Sequence, residues 1–367
     1  MKELKAIVAE HKKLASNRQA ALATVVKVSG SSYRSPGARM LITDDGKWVG
    51  SISGGCLEGD ALRKARMVMT SKQPLTVTYD TREESNQNLG ISLGCNGVID
   101  VLIEPFSENY LPTQFFEPII QRNEPVVMAT VFQGENSVGE KMWCDSSGLL
   151  QSTISDATLK KELHILLNEV FQLKKSFTQK ITTPSGEAEV FLEWIQPSVS
   201  VLIFGGGFDA RPVSQLAKTL GWEVQVTDEC VAHIAPIFFP RVDKLSLCQR
   251  EFIDRDFQIT NYTACVLMSH NYEYDRDVLK KIIHSPAPYI GILGPRKRFD
   301  KIRDEFQKSG LELSEEQLAR VHSPIGLDIG AEAADEIAVS IIAEIQSVFA
   351  KRPAGFLKQL PGPIHQR

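Results

Sequence analysis

The sequence predicts an α/β protein in two parts: an α+β N-terminal half, then a C-terminal doubly wound parallel sheet. Three observations carry this. First, the apolar run Val199–Phe204 leads straight into Gly205-Gly206-Gly207-Phe208-Asp209-Ala210 and a helical pattern (Val213, Leu216, Ala217, Leu220). A second strand, Glu223–Thr227, then ends at Asp228. That is the Gly-x-Gly-x-x-Ala order of a Rossmann-like βαβ unit, with a carboxylate near the distance at which one meets ribose hydroxyls. Second, strand and helix patterns alternate through the rest of that half, which favours parallel pairing. Third, the first half is rich in short strands with hairpin signals between them.

At 367 residues, 43% apolar and 23% charged, the chain is globular and too long for one ordinary core. Its 41 basic and 45 acidic residues give a net charge of −4 with no run of like charge. That argues against a general grip on nucleic acid or on a membrane surface. Met1–Ala15 reads as a charged amphipathic helix and not as a secretory signal, and no apolar stretch is long enough for a bilayer. Six cysteines in this setting read as reduced thiols, and the expected compartment is the cytoplasm. No internal repeat is apparent. A homodimer is expected from the general prevalence of twofold oligomers.

In chain order, Ala21–Val28, Arg39–Thr43 and Trp48–Ile52 read as strands, the last two joined through the hairpin signal Asp44-Asp45-Gly46. Leu57–Met69 carries apolar residues at helical spacing (Leu57, Ala61, Leu62, Ala65, Met69). Strands follow at Leu75–Tyr79, Val98–Glu104 and Pro125–Phe132, a helix at Asp156–Leu173 and a strand at Glu187–Ile195. The linker is placed at Gln196-Pro197-Ser198. Beyond it, strands Val199–Phe204, Glu223–Thr227, Ala264–Met268 and Tyr289–Leu293 interleave with helices Ala210–Leu220, Asp275–Ile283, Lys297–Ser309 and Ala333–Phe349. The expected domains are 1–196 and 197–350, with a basic, proline-containing tail at 351–367.

Open parallel sheets bind ligands beyond the carboxyl ends of their strands. Those ends carry Gly205, Gly206 and Gly207, then Asp228, then His270, then Gly294 and Arg296. Glycines let backbone approach a pyrophosphate, and a helix N-terminus offers N–H groups. These residues are the candidates for a phosphate or nucleotide, NAD(P) included. The acidic Asp228 favours a ribose without a 2′-phosphate.

The N-terminal half carries its own constellation. Ser29–Arg39 is a glycine- and hydroxyl-rich loop with two arginines, Arg34 and Arg39, whose forks suit anionic oxygens. Ser53-Gly54-Gly55-Cys56 lies between a strand and a helix. There the helix dipole and unpaired N–H groups favour a Cys56 thiolate. Glu58 reads either as a dipole partner or as a base close to that thiol. Gly94-Cys95-Asn96-Gly97 holds a second glycine-flanked thiol, Cys95. No pair of cysteines or histidines has the spacing of a zinc site.

Four stretches give the chain a resemblance to the XdhC/CoxI family of xanthine dehydrogenase accessory factors: Gly30–Arg39, Ser51–Asp60, Tyr289–Arg298, and Val321–Gly330 with Glu336–Val339. The resemblance implies an XdhC/CoxI-type N-terminal domain before the Rossmann-like domain. It also implies a chaperone that binds the molybdenum cofactor (molybdopterin) as cargo, shelters it while its sulfido ligand is installed, and inserts it into an apoenzyme. The implied partners are a cysteine desulfurase and a molybdenum hydroxylase subunit. On this reading Cys56, helped by Cys95, faces molybdenum or its sulfido ligand, a thiolate being a soft ligand. Arg34, Arg39, Gly54 and Gly55 hold anionic oxygens, and the C-terminal crevice takes phosphate or nucleotide. The chain departs from the family pattern at Phe208-Asp209-Ala210-Arg211-Pro212, where relatives often carry Gly-His, and at Glu229-Cys230, where an arginine is common. The alternative is an NAD(P)-dependent oxidoreductase with Cys56 or His270 as its acid or base.

Overall fold

The first strand alternates between two environments, and that alternation dictates the layering around it. In the computed structural model, which describes residues 1–361 apart from 16, 83–96, 108–112, 136 and 149, Ala21, Ala23 and Val25 face one core. Ala20, Leu22 and Val26 face two others. A strand buried on both sides belongs at the centre of a sheet with something packed on each face.

The chain divides into compact units Met1–Pro197 and Ser198–Arg367. The first begins with α1 (Lys2–His11), β1 (Ala20–Gly30), β2 (Arg39–Thr43), β3 (Trp48–Gly50), α2 (Glu58–Ser71), β4 (Leu75–Asp80) and β5 (Gly97–Pro105). It continues with α3 (Thr113–Ile120), β6 (Val126–Gln133), β7 (Lys141–Asp145), β8 (Leu150–Ser152), α4 (Ala157–Leu173), β9 (Phe177–Thr183) and β10 (Gly186–Ile195). Two antiparallel sheets result, ordered β3-β2-β1-β5-β4 and β8-β7-β6-β10-β9. Their inner faces share cores containing Leu22, Leu102, Met128 and Phe191, while α2 covers the outer face of one and α4 that of the other.

The two orders are the same, which corrects the expectation of no repeat. This unit is one αβββαββ element written twice. Thr24 pairs with Arg39 as Thr130 pairs with Lys141. Leu75 pairs with Ile103 as Phe177 pairs with Leu192. Both long helices stop at a lysine in the left-handed region, Lys72 and Lys174. Aligned on these pairs, Ser35-Pro36-Gly37-Ala38-Arg39-Met40 matches Ser137-Val138-Gly139-Glu140-Lys141-Met142, and Ser51-Ile52-Ser53 matches Thr153-Ile154-Ser155.

The copies are tied by exchanged ion pairs. Arg39 forks onto Glu193 of the second copy, with Nη1 donating to Oε1 at 3.0 Å and to the Gly37 carbonyl at 2.9 Å. Lys141 donates to Glu104 of the first copy at 2.6 Å and to the Gly139 carbonyl at 3.1 Å. Glu104 and Glu193 are themselves equivalent, each lying one residue beyond the pairs Leu75/Ile103 and Phe177/Leu192. All four side chains are buried. Burial pushes the Glu104 carboxyl up and the Lys141 ammonium down, and each partner's charge opposes the shift.

The second unit contains β11 (Ser200–Phe204), α5 (Ala210–Thr219), β12 (Glu223–Asp228), β13 (Lys244–Leu247), α6 (Ile253–Asp256), β14 (Thr263–Leu267) and α7 (Tyr272–Ile282). Then come β15 (Tyr289–Ile292), α8 (Arg296–Lys308), α9 (Glu315–Ala319), β16 (Val321–His322) and α10 (Ala334–Ala350). All strand pairs are parallel, in the order β13-β12-β11-β14-β15-β16. This is the Rossmann order, with its switch point between β11 and β14. Helices α5 and α10 cover one face, and α7 and α8 the other. Among the described residues no helix is long and apolar enough to cross a membrane.

Removing one partner of a buried pair strands the other charge, at a cost of about 3–5 kcal/mol. Lys141→Met is therefore expected to lower unfolding free energy by about that much. Adding Glu104→Leu should restore most of it, as read by urea denaturation. Equal losses in the single and double variants would contradict the assignment.

Candidate functional site

Where the two copies differ, they differ at one end. From Val25 to Arg39 the first copy runs through Ser29–Pro36, whereas Val131 to Lys141 in the second is a shorter path. Thr81 and Gly97 are joined through 82–96, whereas Thr183 and Gly186 are joined by Pro184-Ser185 alone. Between β3 and α2 the first copy carries Gly54-Gly55-Cys56, where the second carries Asp156-Ala157-Thr158. All three differences fall at the same edge of the first sheet, which makes it the candidate site of this unit.

Glu58 organises it. Its carboxylate accepts from the backbone N–H groups of Ile52 (3.2 Å), Ser53 (2.9 Å), Gly54 (3.2 Å), Gly55 (2.9 Å) and Leu57 (3.2 Å). The Ser51 hydroxyl at 2.8 Å and that of Ser53 complete the set. Burial alone would raise its pKa, but the hydrogen bonds from Ser53, Ser51 and the backbone outweigh it and hold the group at about 2. Of the two roles expected for Glu58, a base close to the thiol is not the one built here. A carboxylate held ionised by this many donors shapes the loop. It also corrects the expectation of unpaired N–H groups beneath Cys56, since those of Gly54, Gly55 and Leu57 are taken.

Cys56 is half-buried against the first-sheet core. Burial pushes the thiols of Cys144 and Cys248 up to about 11, beside Asp145 and Asp256, and that of Cys265 to about 12. Those three stay protonated. Gly54, at φ +88°, lies under Tyr33, whose ring would be 2.7 Å from an added Cβ, so the Ser29–Pro36 loop is laid on the Gly54 turn. Gly97 closes against Ser31, with an added Cβ 2.5 Å from the Ser31 carbonyl oxygen. Cys95 lies outside the described residues.

The arginines are placed differently from the expectation. Arg34 pairs with Glu3 of α1. Arg39 does not offer its fork to a ligand: the guanidinium is buried and bound to Glu193. Neither Glu3 nor Glu193 stands near its partner in sequence, and no local signal announces either contact. Among the described residues no three His, Cys, Asp or Glu side chains cluster as metal ligands.

In the second unit the switch point brings together Gly205, Gly206, Gly207, Asp228 and His270. An added Cβ on Gly205 would be 2.4 Å from the Ser269 Cα, so the two strand ends meet closely. Gly206 donates to Asp228 Oδ2 at 2.8 Å, and the same oxygen meets His233 Nδ1 at 2.9 Å. Cys230 N–H donates to Asp228 Oδ1 at 2.8 Å. Both oxygens expected to meet a ribose thus already hold the glycine turn and the loop after β12. Gly207 stays open except toward His270, whose Cδ2 would be 3.6 Å from an added Cβ. His270 takes a left-handed backbone, φ +60°, and its Nε2 lies 3.1 Å from Asp209 Oδ2 across the crevice. Gly294 and the exposed Arg296 stand at the next strand end, the start of α8. Asp209 and His233 are functional neighbours that the glycine spacing alone did not single out.

Comparison with known proteins agrees with both units. Residues 201–345 match the XdhC Rossmann domain, and residues 13–80 match the XdhC and CoxI family. The chain belongs to the XdhC/CoxI family. It is 29% identical over 339 residues to a probable xanthine dehydrogenase component of Bacillus subtilis (strain 168), covering 90% of this chain and 94% of that protein. It is 23% identical over 335 residues to the molybdenum cofactor insertion chaperone PaoD of Escherichia coli (strain K12), covering 91% and 85%. A crystal structure of a xanthine dehydrogenase from Bacillus halodurans superposes with a TM-score of 0.75 at 26% identity, over 98% of each chain. The stretch matched to the XdhC and CoxI family falls wholly within the first copy of the repeat, the one with the elaborated end.

Glu58 also sets a pH dependence. Its folded pKa, about 2, lies below its ordinary 4.5, so its contribution is complete above pH 4.5 and vanishes as pH falls toward 2. The depression corresponds to about 3 kcal/mol. Glu58→Gln is expected to be destabilised by roughly that amount at pH 7 and to converge on the wild type near pH 2. Thermal melts across pH check this, and parallel curves would contradict it.

Proposed function

We propose that this chain is an accessory protein of molybdenum hydroxylase maturation. It binds the molybdenum cofactor, assists its sulfuration, and inserts it into a hydroxylase of the xanthine dehydrogenase type. The observation that carries the reading is the near full-length relationship to a molybdenum cofactor insertion chaperone. The elaborated end of the first repeat supports it, because that end concentrates the chain's departures from its own second copy around a half-buried thiol.

In this reading residues 1–196 form the cargo domain and 197–350 the nucleotide domain. Cys56 is the soft ligand for molybdenum or the acceptor near its sulfido group. Gly54 and Gly55 keep the loop flat enough for the pterin to approach. Arg34 reaches anionic oxygens by leaving Glu3. The Gly205–Gly207 turn, His270, Gly294 and Arg296 take the phosphate or nucleotide extension, the open face of Gly207 being the point of closest backbone approach. The partners are a cysteine desulfurase and a hydroxylase subunit, the compartment is the cytoplasm, and the working form is a homodimer.

Cys56→Ser, purified from cells that make the cofactor, is expected to retain less than a tenth of the wild-type molybdenum and extractable pterin and to fail to activate the client hydroxylase. Undiminished pterin with normal activation would defeat the assignment of Cys56. A wild-type protein that carries nicotinamide dinucleotide and no pterin would defeat the chaperone reading itself.

A further inference from the structure

The duplication supplies an internal control for the first copy's elaborated end. We infer that Ala38, Gly54 and Val98 make this end selective for anionic ligands, because they lack the carboxylates that their counterparts carry. The inference deepens the cargo reading and rests on it for the ligand's identity.

The argument starts from the second copy. At the equivalent edge it has a cavity of about 260 Å³ lined by Ser137, Glu140, Ser155, Asp156, Thr183 and Glu187, among others. The strand registers map these onto Ser35, Ala38, Ser53, Gly54, Thr81 and Val98. The comparison divides cleanly. Every hydroxyl is kept (Ser35 for Ser137, Ser53 for Ser155, Thr81 for Thr183), and every carboxylate is lost (Ala38 for Glu140, Gly54 for Asp156, Val98 for Glu187). A shared framework of small polar groups has been stripped of negative charge in one copy alone.

The remaining acids around the first end are already matched. Glu58 is enclosed by the N–H groups of its own loop. Asp80, opposite Val98 in register, is paired with Arg82 at 2.7 Å. Asp60 is bound by Arg63 at 2.8 Å and by the Tyr79 hydroxyl at 2.9 Å. An anion arriving here meets carboxylates that are already compensated, whereas one arriving at the second copy meets three further acidic positions. Coulomb repulsion across a partly desolvated edge is enough to discriminate between them. The chain therefore presents one anion-accepting end, not two.

Val98 is the position to test, because it is partly exposed and its backbone is extended, so a longer side chain can stand outward. The full-length chain is treated with iodoacetate or iodoacetamide, an anionic and a neutral reagent of similar size, and alkylation of the Cys56 peptide is followed by mass spectrometry. Val98→Glu is expected to lower the iodoacetate-to-iodoacetamide rate ratio at least threefold. Val98→Lys should raise it, and Val98→Gln should leave it within experimental scatter. Pterin retained on purification should fall at least fivefold in Val98→Glu and not in Val98→Gln. A ratio that ignores the sign of the new charge overturns the inference, and Val98→Lys decides the matter even if Val98→Glu folds poorly. A charge-dependent ratio in a protein that never carries pterin upholds anion selectivity and removes only the cargo assignment.

Discussion

The first unit depends on two buried ion pairs made by exchange. Arg39 of one copy holds Glu193 of the other, and Lys141 holds Glu104 in return. Buried pairs are weak sources of net stability, since desolvation offsets much of their attraction; what they supply is register. Slip one sheet by a residue against the other and four charges meet hydrocarbon instead of each other. Hydrophobic contacts among Leu22, Leu102, Met128 and Phe191 would tolerate such a slip far better. The exchange ties each copy to the other and closes the core of the unit without a gap in charge. It also explains why an arginine in a loop that otherwise suits anions is not offered to one.

With the scaffold locked in this way, the copies could diverge at their ends without losing their pairing. The second copy stays minimal: a tight Pro184-Ser185 turn, and Asp156 capping α4 through the N–H groups of Thr158 and Leu159. The first copy replaces that cap with Gly54 and moves the capping carboxylate inside the helix, to Glu58, which curls the whole Ser51–Leu57 segment around itself. The loop is thus ordered by an internal anion. A ligand that docks beside it does not have to meet the entropic cost of ordering it.

Much of this was legible in residue patterns, for local reasons. Arg39–Thr43 is a strand from end to end, as its apolar content implies, and the Gly205 turn announced the parallel sheet through backbone chemistry that few other sequences need. Elements that depend on distant partners were not legible. Strand β9, Phe177–Thr183, is too polar to announce itself and is held by pairing with β10. Strand β16 is two residues long and exists because β15 lies beside it. The repeat escaped notice because the identities that reveal it are scattered, and the Ser29–Pro36 insertion shifts the spacing between them. Among site residues, Gly54, Gly55 and Glu58 share one loop as their spacing implies. The partner of Arg39 lies 154 residues away and could come only from the fold.

The two units solve a common problem in a common way. A glycine turn is conformationally loose, and each one here is fastened by a buried carboxylate folded back onto its N–H groups: Glu58 onto Gly54 and Gly55, Asp228 onto Gly206. In both cases the fastening acid lies behind the turn, and an adjoining glycine is left open on the other side, Gly55 with nothing near an added Cβ and Gly207 with only the His270 ring. The open position is where a ligand can reach main chain, and the closed one is what keeps it there. Asp228 thereby serves the geometry of the turn before any ribose, which a dehydrogenase reading would require it to serve first. A carrier needs turns that hold their shape while cargo arrives and leaves, and internal carboxylates provide this because they do not depart with the cargo.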